Sequence, residues 1–245
     1  MDPPTPRSSE RFCAPDADIA ISSSDGVTFK VHRKHLEVHS DVFADAADAT
    51  LPDNGPDEVV QLSENSAVLD LLFQYMYRQP QPDLSSVDFL TFAGLAEAVE
   101  KYVVYSALPA VAIQMKASVA NHPLQVLDYA ARHNHKDLAN EAARLSLGLP
   151  WAEAVSVLAP DTLVGWATFY DKWHTSARSL LSLFITAHHY NNNNLAVLVA
   201  CVRDPKLCFT HRQTLEGMAP GSGSPENIQW CTNVLKYLFD GRFLG

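Results

Sequence analysis

The sequence lacks any apolar stretch long enough to cross a lipid bilayer. Its longest uninterrupted apolar run is LAVLVACV, residues 195–202, whereas a membrane-spanning helix needs about 20 apolar residues. The N-terminal stretch MDPPTPRSSERFCAPDAD is rich in proline and serine, and it contains no apolar core of the kind that a secretory signal peptide has. We therefore expect an intracellular protein, in the cytoplasm or the nucleus, that has no membrane as a partner.

Positive charge and glycine are also scarce. The chain has 18 Lys and Arg against 28 Asp and Glu, and no basic run is longer than Arg33-Lys34. Because phosphate binding needs clustered Lys and Arg, this composition argues against nucleic acid as the partner. Only 10 glycines are present, and neither a P-loop, a G-x-G-x-x-G fingerprint nor a G-x-S-x-G elbow occurs. The sequence therefore predicts a protein that is not an enzyme and binds no cofactor.

The four cysteines, Cys13, Cys201, Cys208 and Cys231, are widely scattered. Cys208 and His211 are the one closely spaced pair among them, whereas structural zinc sites usually show two such pairs. We interpret the cysteines as free thiols in a reducing compartment.

Three histidines, His32, His35 and His39, recur at helical spacing and would stack on one helix face. The zinc-protease pattern H-E-x-x-H is not present. That pattern needs a Glu directly after its first histidine, whereas Leu36 follows His35 and Glu37 comes one position later. A zinc site with three histidines stays geometrically open, and a metal-dependent enzyme is the remote alternative. The favoured interpretation is that Leu36 takes the buried side and the histidines face outward.

Strand signals are confined to the first quarter of the chain. IAI and VTFKV flank Ser24-Asp25-Gly26, which predicts a β-hairpin, and EVVQL at residues 58–62 predicts a short strand. Ser40-Asp41 predicts the start of a second helix, and Ser66 is the predicted cap of a helix that runs to about Gln79. The remainder reads as helices, with a helical hairpin that turns near Asn134. We predict an α+β fold, with a disordered tail at 1–15, a domain at 16–120 and an all-α extension at 121–245.

The first half resembles the BTB/POZ family, a short β-sheet capped by a helical bundle. The resemblance rests on an Asp entering the first strand, an apolar residue before a V-H-R stretch, a Leu, a Ser-x-x-Phe element, and two later helices with tyrosines. The residues are Asp18, Phe29, Val31-His32-Arg33, Leu36, Ser40, Phe43, Leu69, Leu72, Tyr75, Tyr77, Ala98, Lys101 and Tyr102. The stretch PLQVLDYAARHNHKDLANEAARLSL is similar to the helical extension of mushroom-type fungal members.

The resemblance implies a non-catalytic protein-interaction module that self-associates, in which Asp18 and Arg33 line a charged pocket near the dimer interface. It implies packing roles for the signature residues Phe29, His32, Leu36, Ser40, Phe43, Tyr77 and Tyr102. One large class of the family bridges a cullin-type ubiquitin ligase to a substrate, and a transcription-linked co-repressor scaffold is the alternative. The apolar-x-Glu element of cullin binders is missing from VFADAADATLPDNGPDE.

In the second half, Trp151, Trp166, Phe169, Tyr170 and Trp173 concentrate aromatic side chains. Aromatic residues are enriched at binding hot spots. Because the last four recur at helical spacing, we favour the interpretation that they belong to a hydrophobic core.

Overall fold

A computed structural model describes residues 7–48, 59–186, 200 and 243 of the chain. Two compact units divide between Met115 and Lys116, somewhat before the predicted boundary at residue 120. The first unit combines a four-stranded sheet with helices, and the second is helical over its described residues. The predicted α+β fold followed by a helical region is confirmed.

The sheet has the strand order β1-β3-β2-β4. Its strands are β1 (Arg7–Cys13), β2 (Ile19–Ser22), β3 (Val27–Val31) and β4 (Val59–Gln61). The predicted hairpin is confirmed: β2 and β3 pair antiparallel. The turn between them needs the left-handed backbone of Gly26, at φ 78°.

Strand β1 corrects the prediction that residues 1–15 form a disordered tail, because residues 7–13 of that segment are a strand. It runs parallel to β3 and buries Phe12, which packs on Phe29 and Phe73. The sequence of β1 is polar and gives no strand signal by itself. Its stability comes from pairing with a strand distant along the chain, and no local pattern reports such a pairing.

Five α-helices and one 3₁₀ turn complete the described part of the first unit, and the last of them, α5, runs past its boundary. In chain order they are α1 (Arg33–His39), α2 (Asp41–Asp48), α3 (Ser66–Gln74), α4 (Phe89–Tyr102) and α5 (Leu108–Ser118), with a single 3₁₀ turn at Leu84–Ser86. The prediction for α3 was wrong at both ends. Asn65 and not Ser66 caps it, accepting from the Val68 N–H at 2.9 Å, and it ends at Gln74. Beyond that point the N–H groups of Tyr75 and Met76 donate to carbonyls three residues back, and the Tyr75 carbonyl accepts from the Ser106 hydroxyl at 2.7 Å.

The second unit begins with a helical hairpin. Helix α6 (Pro123–Arg132) starts with proline in its first turn, where no N–H is needed. Helix α7 (Lys136–Ser146) follows a turn at Asn134, whose φ of 58° is left-handed, so the predicted turn position is confirmed. Helices α8 (Trp151–Val157) and α9 (Pro160–Thr186) come next.

Three of the four aromatic residues favoured as core are buried, and the fourth, Tyr170, is half-buried. Trp166, Phe169 and Trp173 are buried on α9, and the Trp166 indole N–H donates to Ser146 at 2.7 Å. Trp151 differs, since 47% of it stays exposed while its ring packs on Trp166.

Candidate functional site

His32 and Tyr77 join the end of the hairpin to the segment after α3. The Tyr77 hydroxyl accepts from the His32 backbone N–H at 2.8 Å and lies 3.1 Å from the His32 Nδ1. The other ring nitrogen, Nε2, lies 3.5 Å from Asp16 Oδ2. Burial raises the pKa of Tyr77. His32 therefore holds the start of α1 in place by hydrogen bonds from both its backbone and its ring.

Asp18 and Arg33 are in contact, but the Asp18 side chain bonds to the backbone of Arg33 and not to its side chain. Asp18 Oδ1 accepts from the Arg33 backbone N–H at 2.7 Å, and both side chains are exposed. The residue at the N-cap of α1, His32, makes no capping bond with its side chain. Asp18 therefore supplies the first turn of α1 with the acceptor that a capping residue normally provides.

The three histidines do not converge on one point. His35 stacks on the Tyr77 ring with centroids 4.4 Å apart, and the His32 ring is 5.6 Å from His35. His39 lies in the last turn of α1. Within residues 7–48 and 59–186 no three His, Cys, Asp or Glu side chains are grouped to hold a metal ion. Cys13 is an exposed free thiol, and Cys201, Cys208, His211 and Cys231 lie outside the described residues.

A second junction joins the break between α1 and α2 to the end of α4. The Ser40 hydroxyl donates to the Tyr102 carbonyl and accepts from the Phe43 N–H at 3.2 Å, which makes it the predicted cap of α2. Phe43 stacks on the Tyr102 ring at 5.0 Å, and Leu36 is buried. The signature residues thus pack at two places, around Tyr77 and around Tyr102.

Glu64 is a residue of this junction that sequence reasoning missed. Its carboxylate accepts from Lys101 Nζ and from the Tyr102 hydroxyl, each at 2.8 Å. Burial opposes ionisation, but the bonds from Lys101, Tyr102 and Ser63 outweigh it and hold the pKa of Glu64 below its usual 4.5. Burial raises the pKa of Tyr102 to about 12. No sequence signal marks Glu64, because its partners lie far along the chain.

Residues 103–105, which follow α4 and which we call the strap, pack against the junction between α1 and α2. Val104 pairs with Ser40 in an isolated β-bridge, and the Tyr105 N–H donates to the His39 carbonyl at 3.3 Å. The Tyr105 hydroxyl donates to Asp41. Val103 ends α4 at φ 51°, a left-handed conformation that is costly for a β-branched residue.

The outer surface of this junction, which we name the α1–α2 corner, consists of α1, α2 and Tyr105. Val38 is 64% exposed and Val42 is 38% exposed, and Tyr105 also faces solvent. Charged side chains surround these residues: α1 begins with Arg33-Lys34 and carries Glu37, 4.0 Å from Lys34, whereas α2 carries Asp41 and Asp45. Exposed apolar side chains rimmed by charge are typical of protein-interaction surfaces.

Comparison with known protein families finds one family whose model spans the sheet, the two junctions and the strap. A family model described as BTB/POZ domain matches residues 7–107, from the start of β1 to the strap. Its first matched residue coincides with the strand that sequence reasoning had placed in a disordered tail. A search of curated proteins found no match. None of the helices described is both long and apolar enough to cross a membrane.

Proposed function

Since residues 7–107 of this chain are a BTB/POZ domain, which is generally a non-enzymatic protein-interaction module, we propose that the protein self-associates through the α1–α2 corner. The observation that carries the proposal is the pair of exposed valines, Val38 and Val42, on a surface that also carries basic side chains on α1 and acidic ones on α2. The second unit is then free to recognise a further partner.

The charge pattern supports association with a second copy. A two-fold interface presents the same patch on both partners, so a residue of α1 that contacts a residue of α2 in the other copy does so twice. With α1 of one copy against α2 of the other, Arg33 and Lys34 face Asp41 and Asp45. Opposite charges around an apolar centre favour encounter and register. Such an interface weakens as salt is added, because the rim charges are exposed.

Sedimentation equilibrium of the full chain over a range of concentrations tests the proposal. We expect a monomer–dimer equilibrium that Val38→Asp shifts toward monomer at least about tenfold, since it buries an unpaired charge (about 1.4 kcal/mol or more). Leu90→Asp is the matched control, because Leu90 is 84% exposed in the first turn of α4, whereas the corner packs against Tyr102 at the opposite end of that helix. Self-association by this surface is refuted if the wild type stays monomeric, or if both variants dissociate equally.

We further propose an adaptor role in which the BTB/POZ domain binds a cullin-type scaffold. The family resemblance supports this role, and the absence of the apolar-x-Glu element from residues 42–58 weighs against a strong contact. Binding of the full chain to the N-terminal region of a purified cullin, measured by interferometry, decides the matter. Saturable binding that is lost in Tyr105→Arg supports the role, and no binding at micromolar concentration removes it.

A further inference from the structure

Phe243 contacts helices α7 and α9 of the second unit through both its backbone and its ring. Its backbone N–H donates to Asn140 Oδ1 at 2.5 Å, and its ring meets the Phe169 ring edge-on, with centroids 6.3 Å apart. Proteins recognise extended segments of other chains by combining hydrogen bonds to the backbone with pockets for side chains, and this contact has one of each.

The contact is made in a notch, which we define by Asn140, Gly165 and Phe169. Asn140 is 8% exposed, so its amide is a buried polar group placed to receive a hydrogen bond. Gly165 leaves the room for the ring, because a Cβ there would lie 3.2 Å from Phe243 Cε2. Any side chain larger than alanine would take the place of the ring.

We propose that this notch is a binding site for extended segments that carry phenylalanine, and that Phe243 occupies it within the same chain. The site supplies an acceptor for the backbone N–H of the phenylalanine and an aromatic wall for its ring. Phe243 and Gly165 both stay partly exposed, so an incoming segment can reach the notch when Phe243 leaves. The second unit would thereby recognise a partner by displacing its own residue.

A free peptide must compete with Phe243 for the notch, and this competition sets the expected loss of affinity. A segment tethered in the same chain acts at an effective concentration on the order of 1 mM. If a free peptide binds the open notch with a dissociation constant of about 0.1 mM, the apparent affinity for the wild type falls about tenfold, in proportion to the open fraction.

The experiment titrates a fluorescein-labelled peptide of residues 240–245, DGRFLG, into the full chain. We expect the Phe243→Ala variant to bind it about tenfold more tightly than the wild type does. The peptide DGRALG, which lacks the ring, should not bind. Adding Gly165→Leu to Phe243→Ala should abolish binding, because leucine fills the notch while it suits the helix. Equal binding to wild type and Phe243→Ala, or binding that survives Gly165→Leu, overturns the proposal.

A second measurement keeps the proposal testable if Phe243→Ala does not fold. Trypsin cleaves after Arg242, at the peptide bond whose nitrogen donates to Asn140. We expect Gly165→Leu to speed that cleavage about tenfold in the otherwise native chain, with circular dichroism confirming an intact helical content. An unchanged rate would show that Phe243 is not held in the notch, and the proposal would fail.

Discussion

Replacing Glu64 by glutamine should destabilise the first unit by about 2 kcal/mol. Glu64 is 12% exposed in its side chain and links the loop before α3 to the end of α4. A hydrogen bond to a charged group contributes about 1.5–3 kcal/mol, which applies to the Tyr102 hydroxyl. Lys101 is 49% exposed, so solvent screening reduces its ion pair to about 0.2–1 kcal/mol. Glutamine keeps the volume of Glu64, so the loss reports the charge and its bonds and not a cavity.

The effect of Glu64→Gln should depend on pH in a stated direction. The pKa of Glu64 is lower in the folded protein than its usual 4.5. The folded state therefore favours the ionised carboxylate, and its contribution is complete above the unfolded pKa and lost as the pH falls through the folded value. The difference between wild type and variant should be full at pH 7 and should narrow steadily below about pH 4.5.

Urea unfolding followed by far-ultraviolet circular dichroism measures the free energy. All four tryptophans lie beyond residue 115, so tryptophan fluorescence reports the second unit, and hydrogen exchange of α4 amides assigns the change to the first. Glu10→Gln, at an exposed position of β1, is the control and should stay within about 0.5 kcal/mol of wild type. A loss below about 0.5 kcal/mol for Glu64→Gln, or one that does not change with pH, would refute the reasoning.

Three further substitutions test the same junctions. Val103→Gly should stabilise the protein by about 0.5–1 kcal/mol, because it removes a left-handed cost of about 1–2 kcal/mol and adds less than that in chain entropy; a lower thermal midpoint would contradict it. Tyr77→Phe should cost about 1–2 kcal/mol in urea unfolding, because the His32 N–H loses its acceptor, and an unchanged midpoint would count against that bond. Asp18→Ala should cost about 1 kcal/mol and Arg33→Ala almost nothing, and the double variant should equal their sum within about 0.5 kcal/mol, since Asp18 bonds to the backbone. Strong coupling between the two would instead indicate a charge pair.

Several elements could be predicted because their signals are local. The Asp25-Gly26 turn, the Ser40 cap and the Asn134 turn each depend on a few neighbouring residues whose backbone preferences decide the outcome. The buried faces of α9 follow from helical spacing, which places Trp166, Phe169 and Trp173 on the core side.

The ends of α3 show where local signals fail. Ser66 and Asn65 are both good capping residues, and the sequence offers no means to choose between them. The structure decides, because Asp25 takes both the Ser66 N–H and its hydroxyl, each at 2.7 Å. Asn65 then supplies the cap, and the choice depends on a residue forty-one positions away.

The sequence by itself determined the hairpin, most of the helices and the absence of a recognisable catalytic motif, because these depend on neighbours along the chain. Only the tertiary structure decided that Arg7–Cys13 is a strand, that Asp18 bonds to the backbone of Arg33, that Glu64 lies between Lys101 and Tyr102, and that Phe243 meets Asn140. Each of these contacts joins residues far apart in sequence. Such a contact stabilises the protein only after the chain has lost the conformational entropy of bringing the two residues together. A local sequence pattern therefore does not encode it.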